Sequence, residues 1–370
     1  MARSTATETG TIPTAPTGPG QRLRLALLNR DVQRLLLNIA LILIIGLAVH
    51  ILGGGKFFTI RNIFALVVQI SVMTIIASAM TLVMVAGAID VSVSGTVVLS
   101  GVTAGLLIVH GMPTPLAFAA AIGTGVVVGL INSFLVIGIG ITSLIATIGL
   151  LYVTQGVANL MTNGLPVIGL PLDFTYVGTG YILGVPVSLP IMLGVVVLLI
   201  AVQRLTRFGR YIVAAGSDPQ AAFLNGINVN RTLTLCFVIS GAAAGWGGVL
   251  YASRIGNPAP VVDNDLLFQV IVAIVIGGTA LTGGQGSVLG TFVGAVLIGV
   301  VNQSLNLLGV STFWQYVALG ALLVFSVGVD AVARRDSIRD LRRRLTRTPR
   351  AAADASRELT PQLPEKGRET

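Results

Sequence analysis

Side chains able to do chemistry are scarce in this chain. A single cysteine, Cys236, excludes an internal disulfide, and two isolated histidines, His50 and His110, supply neither a zinc-type ligand set nor a proton relay. No G-x-x-x-x-G-K-[ST] phosphate loop occurs in the 370 residues, so the chain does not bind ATP that way by itself. Asp90, Asp263, Asp265 and Asp330 fall at the ends of apolar runs rather than inside them. A proton- or sodium-coupled carrier keeps ionisable groups at membrane depth, and a membrane enzyme acting on lipid-linked substrates needs clustered acid, histidine or Ser/Lys chemistry near an interface. The one close acidic pair between the tails, Asp263 and Asp265, has no histidine beside it in sequence. No catalytic residue and no metal site is expected.

What remains at membrane depth is a set of amides: Gln69, Asn132, Gln155, Asn159, Asn302, Gln303 and Asn306. A hydroxyl-rich solute needs donors and acceptors without full charge, and amides supply both. The same groups serve equally as hydrogen bonds between helices, and both readings stay open for each.

The elements that position these residues follow from composition. Hydrophobic residues make up 54% and charged residues 10%, where about 25% charged is usual, and mean hydropathy is +0.90. There is too little polar material to clothe a water-facing surface, so the chain is expected to be an all-α, multi-pass membrane protein. Seven charged residues lie in 1–34, seventeen in 332–370, and only thirteen between. Those limits divide the chain into a disordered, basic cytoplasmic tail over 1–34, a transmembrane domain over 35–331, and a second basic cytoplasmic tail over 332–370. Residues 338–345 there either lie on anionic lipid or are solvated. Basic flanks on an apolar core are what anionic cytoplasmic lipid produces, so nucleic acid is not needed to explain the charge.

A bilayer core takes about 20 apolar residues per helix. Spans are expected near 35–52, 63–87, 91–109, 115–137, 142–162, 186–202, 232–253, 265–281, 286–308 and 313–331, ten in all. With both termini cytoplasmic, 20 Lys and Arg lie inside against three outside (Lys56, Arg61 and Arg254), the asymmetry the positive-inside rule demands. Asp90 is expected in a short cytoplasmic connection, capping the next helix or taking part in coupling.

Two motif pairs recur five spans apart. Gly129-Leu-Ile-Asn132 matches Gly299-Val-Val-Asn302 at an offset of 170, and Ile139-Gly-Ile-Thr142 matches Leu308-Gly-Val-Ser311 at 169. An odd separation puts the copies in opposite orientation, which points to an inverted five-helix repeat. Gly123, Gly125 and Gly129 in one span, Gly241, Gly245, Gly247 and Gly248 in another, and Gly286, Gly290, Gly294 and Gly299 in a third suit close helix packing.

The longest cytoplasmic loop, 203–231, carries the remaining local signal. Ser217 or Asp218 can cap a helix, Pro219 fits its first turn, Gln220 to Leu224 continue it, and Gly226 stops it. From pattern alone this is either a surface helix or a mechanical lever.

Residues 214–227, AAGSDPQAAFLNGI, resemble the coupling segment of the ribose-type ABC sugar permeases. So do GAIDVSVSG at 87–95, SLIATIG at 143–149, TNGLP at 162–166 and GGTALTGGQGSVLGT at 277–291. Five islands in family order cover most of 35–331. The resemblance implies the permease subunit of an ATP-driven importer of a monosaccharide or similar neutral solute, multi-pass in the bacterial inner membrane. It implies a second permease copy, a cytoplasmic ABC ATPase that binds the ATP and magnesium, and a periplasmic or lipid-tethered sugar-binding protein. The ATPase-coupling residues are then Gly216, Asp218, Pro219, Ala221, Ala222 and Gly226. Two departures stand out: Gln220 replaces a frequent Glu before the paired alanines, and Phe223-Leu224 a frequent Arg after them. The rival is a stand-alone carrier or facilitator, disfavoured by the lack of charge at membrane depth.

Overall fold

The computed structural model describes residues 30–261 and 265–322, with 324 and 328. The chain divides into two compact units, one ending at Leu319 and one starting at Gly320, and almost all of the second lies outside the described residues. The expected tails and residues 323–331 of the tenth span therefore fall largely there.

Helices occupy most of the described residues of the first unit. In chain order they are α1 (Arg30–Leu52), α2 (Ile60–Val85), α3 (Val93–Val109), α4 (Thr114–Ser133, continued by a π turn over Phe134–Gly138), α5 (Ser143–Thr162), α6 (Leu172–Thr179), α7 (Ser188–Leu205), α8 (Arg207–Ser217), α9 (Pro219–Leu224), α10 (Val229–Ile255), α11 (Asp265–Ile276) and α12 (Val288–Leu307). A two-residue hairpin, Tyr181–Ile182 with Val185–Pro186, precedes α7. Helical backbone resumes at 312, where the tenth span is expected. Among the described residues, seven helices are long and apolar enough to cross a membrane, while α3 and α11 have only 17 and 12 residues. The loops expected over 163–185 and 203–231 are more ordered than the sequence suggests, because each folds short helices.

Burial ranks the helices. Of the apolar windows, 67% of that in α2 is buried but 17% of that in α1, whose Leu37, Leu43 and Ile44 point outward where lipid belongs. At the centre α10 meets three helices through its glycines. A Cβ at Gly241 would collide with the Gly125 carbonyl of α4, one at Gly245 would lie 2.8 Å from the Ala121 oxygen, one at Gly248 would strike the Val97 oxygen of α3, and one at Gly247 would lie 3.0 Å from Ile76 of α2. Such approaches replace hydrophobic driving force with contact area, since lipid is as apolar as leucine. Gly290 and Gly294 of α12 pack on α11 in the same way, whereas Gly123 faces open space.

The inverted repeat is visible in the element order. Helices α10, α11 and α12 start 169, 172 and 174 residues after α2, α3 and α4. In each half a long helix is followed by a non-helical segment and a short helix, the broken-helix form in which irregular backbone is tolerated inside a membrane protein. α5 holds the two segments at opposite ends. Ser143 and Thr147 accept from Ile89 N and Val91 N in its first turns, and Asn159 donates to the Pro260 oxygen near its last.

A candidate coupling site at the cytoplasmic end

Residues 206–228 are built from helix caps with no slack between them. Thr206 caps α8 by accepting from Gly209 N, and Ile212 and Ala215 bury the inner face of that helix. Asp218 leaves the helix in an extended conformation, and its Oδ1 accepts from Gln220 N and Ala221 N at 3.0 Å each. Pro219 takes the first position of α9, where its missing N–H costs nothing. Gly226, at φ +80°, closes the helix: Gly226 N donates to the Phe223 oxygen and Ile227 N to the Ala222 oxygen, satisfying its last carbonyls. Asn228 then caps α10 through Arg231 N at 2.9 Å. Of the six residues of α9 only Ala222 is buried, while Phe223 and Leu224 are 71% and 81% exposed. Capping residues at both ends announce α9 in the sequence; for α8, which carries the inner contact, Thr206 is the one such signal.

At its C-terminal end that contact is made by glycines, beyond Ile212, which packs into the core with Leu82 and Val85 of α2. Gly216, in the last turn of α8, rests on the end of α2, where a Cβ would collide with the Val85 oxygen and lie 2.7 Å from Gly284 N. Gly284 N donates to the same Val85 oxygen at 2.8 Å. Gly87 lies against the Gly216 Cα, and a Cβ at Gly283 would come 2.7 Å from the Gly87 Cα. Gly87, Gly283 and Gly284 all have positive φ (+90°, +84° and +75°), which L side chains avoid. The end of α8, the α2–α3 connection and the α11–α12 turn therefore meet backbone to backbone, and three of the resembling islands meet there.

Behind this junction the 86–92 segment is folded into the protein. Asp90 is 1% exposed, so the short connection expected between α2 and α3 is buried in the protein. Its Oδ1 accepts from the Ser92 hydroxyl at 2.6 Å and from Ser92 N at 3.1 Å, a turn ahead of α3 rather than the expected cap, since no side chain caps the first N–H groups of that helix. Its Oδ2 accepts from Ser240 of α10 at 2.8 Å. Asn132 donates to Ser92 Oγ at 2.7 Å and reaches Oδ1 at 3.4 Å. A carboxylate held by several neutral donors is a charge-assisted network with a high cost for each missing member. The segment is thereby fixed to α4, α5 and α10. Gln203, at the end of α7, holds the α11–α12 turn by donating to the Gly286 oxygen at 3.0 Å and accepting from Val288 N at 2.8 Å. Ser240 and Gln203 carry no sequence signal of these roles, because a partner 150 or 85 residues away leaves no local pattern.

The amides fall into separate groups. Asn132 belongs to the Asp90 network. Gln303 donates to Asn62 of α2, and Asn306 accepts from Gln315 at 2.8 Å. Asn159 donates to the Gln155 and Pro260 carbonyls. Asn302 is buried and Gln69 half-buried.

A sequence profile described as "Branched-chain amino acid transport system / permease component" matches residues 62–327. The chain is 35% identical over 281 residues to the ribose import permease protein RbsC of Escherichia coli K12, which covers 74% of the chain and 87% of that protein. It is 34% identical over 299 residues to the L-arabinose ABC transporter permease protein AraH of Azospirillum brasilense (80% and 88%), and 31% identical over 298 residues to the fructose import permease protein FrcC of Rhizobium meliloti (78% and 83%). No solved structure matches.

Proposed function

From the premise that the chain belongs to the branched-chain amino acid transport system permease family, we propose that it carries a monosaccharide or similar neutral hydrophilic solute across the bacterial inner membrane as one of two permease copies. It is a multi-pass transporter subunit and not an enzyme. ATP and magnesium bind a separate cytoplasmic ABC ATPase, and a solute-binding protein delivers the sugar from outside. The sugar class rests on the relatives, which are permeases for ribose, arabinose and fructose.

One observation carries the mechanism: the lever touches both halves of the repeat at one point. Exposed Phe223 and Leu224 on α9 offer the ATPase an apolar knob. Movement of α9 passes through the Asp218 cap to α8, then through Gly216 to Gly87 and to Gly283-Gly284. The first drives the 86–92 segment and α3; the second drives the turn that starts α12. Packed backbone has few arrangements between which to switch, so a rigid push favours discrete inward and outward states over gradual deformation. The amides Gln69, Gln155 and Asn302 are the proposed solute contacts, while Asn132, Asn159, Gln303 and Asn306 are already hydrogen-bonded between protein segments.

Copurification of the tagged chain from its native membrane, with partners identified by mass, tests this reading. Recovery of an ABC ATPase and a sugar-binding protein is the expected outcome. The chain recovered alone, and active for uptake in vesicles free of ATP, would move it to the facilitator class.

A further inference from the structure

One face of α5 presents polar side chains outward at the middle of the membrane. The inner face of that helix is closed against α3, where a Cβ at Gly95 would collide with Thr154. Ser143, its first residue, lies beside the 86–92 segment at the cytoplasmic end, and Asn159 reaches Pro260 near its last turn. At 1.5 Å per residue Tyr152 stands about 13 Å from Ser143, in the middle of the 20-residue span, yet it is 68% exposed. Gln155, three residues on and therefore beside it on the helix surface, is half-buried. Gln155 gives its backbone carbonyl to Asn159, but neither its side-chain amide nor the Tyr152 hydroxyl bonds to a described residue. Gly149 and Gly156, about one turn before and after Tyr152, have nothing within 4 Å of an added Cβ. The outward face of α1 differs, since Leu43, Ile44 and Leu47 are its large side chains at mid-span.

Tyrosine belongs at the membrane surface, where its hydroxyl reaches water, and an amide facing hydrocarbon goes without partners at a cost. Two such groups side by side at mid-span mark a face that meets water or protein instead of lipid. We propose that this face of α5 lines the solute pathway, with the Tyr152 ring as the platform on which the C–H face of a sugar stacks and Gln155 as donor and acceptor for its hydroxyls. Aromatic surface with a few placed polar groups is how small-molecule sites hold and orient a ligand. Because the face points away from the chain's own bundle, one chain supplies one wall, and a second copy turned about a twofold axis supplies the same two residues opposite. The open backbone at Gly149 and Gly156 leaves room on either side of the ring. This inference rests on sugar import by two permease copies and adds Tyr152 to the solute contacts.

The test begins with cysteine labelling of the full chain in its native membrane, with the buried Cys236 replaced by alanine, using a charged methanethiosulfonate that reacts only where water reaches the thiol. Tyr152→Cys and Gly156→Cys are expected to react at least about tenfold faster than Leu43→Cys and Ile44→Cys on the outward face of α1. A short bismaleimide should join a cysteine at 149, 152 or 156 of one copy to the same position of another. Uptake then reads the solute: Tyr152→Leu should raise KM for the imported sugar at least about tenfold with ATP hydrolysis retained, whereas Tyr152→Phe, which keeps the ring, should stay within about twofold of the wild type. Labelling and crosslinking need no transported sugar, so they decide the face by themselves, while a wild type that imports no sugar tells against the transport function instead. Tyr152→Cys as slow to react as Leu43→Cys overturns the proposal. So does labelling without a crosslink at any of the three positions, and an unchanged KM in Tyr152→Leu overturns the stacking role.

Discussion

Gly216→Ala is the sharpest perturbation of the lever, because a single methyl group enters where three backbones meet. The added Cβ would collide with the Val85 oxygen and sit 2.7 Å from Gly284 N and 2.9 Å from the Val85 carbonyl carbon. None of these is the end of a flexible side chain, so α8 must withdraw. Overpacking of this kind costs about 1–3 kcal/mol. Separating Val85 from Gly284 loses a further hydrogen bond of about 0.5–1.5 kcal/mol. If the strain falls on the state in which the lever is pressed home, roughly 2–4 kcal/mol lowers that state's population by a factor of about 30 to 1,000. The assay is the ratio of solute imported to ATP hydrolysed by the reconstituted complex. Gly216→Ala should hydrolyse ATP with import down at least about 30-fold, while Gly123→Ala, whose Cβ enters open space, should import normally. Normal import per ATP in Gly216→Ala would refute the lever argument.

Four further outcomes follow from the same geometry. Phe223→Glu, at a side chain 71% exposed, should abolish copurification of the ATPase while leaving the melting temperature within about 1 °C, since exposed changes cost little. Asp218→Ala removes the acceptor shared by Gln220 N and Ala221 N, which should cost about 1 kcal/mol and lower ATPase affinity roughly five- to tenfold in a binding titration. Gln203→Leu strips partners from the Gly286 oxygen and Val288 N and should destabilise by about 2–4 kcal/mol in a thermal melt. Asp90→Ala leaves the Ser92 and Ser240 hydroxyls without their acceptor and should destabilise by about 2–4 kcal/mol in a thermal melt, with Asp90→Asn intermediate.

Helices are legible where hydrophobicity alone decides: the apolar runs name nine of the helices in the described residues, and the capping residues around Pro219 name α9. The repeat is legible because Asn132 and Asn302 both fall in the last two turns of corresponding helices, four residues out of register. What the sequence conceals is long-range. Asp90 reads as a surface cap because its Ser92 partner is two residues away, and nothing near it announces Ser240 or Asn132. The glycines of α10 read as one packing stripe, yet they serve three neighbours: Gly241 and Gly248, two turns apart, share a face and meet α4 and α3 in succession along it, while Gly247 points about 100° away toward α2. α8 reads as loop because two arginines and two glycines interrupt its short amphipathic pattern. The junction of Gly87, Gly216 and Gly283 escapes sequence inference altogether, because close backbone approach leaves only glycine as its signature and 45 glycines are present.

The most direct test of the ATP-driven sugar importer is uptake by proteoliposomes holding this chain with its ATPase, loaded with ATP and magnesium and supplied outside with the sugar-binding protein. Labelled ribose, arabinose and fructose are to be compared with labelled leucine. At least one sugar is predicted to accumulate only when both ATP and the binding protein are present, and leucine is not. Accumulation of leucine alone, or sugar equilibration that proceeds equally without ATP, would contradict that function.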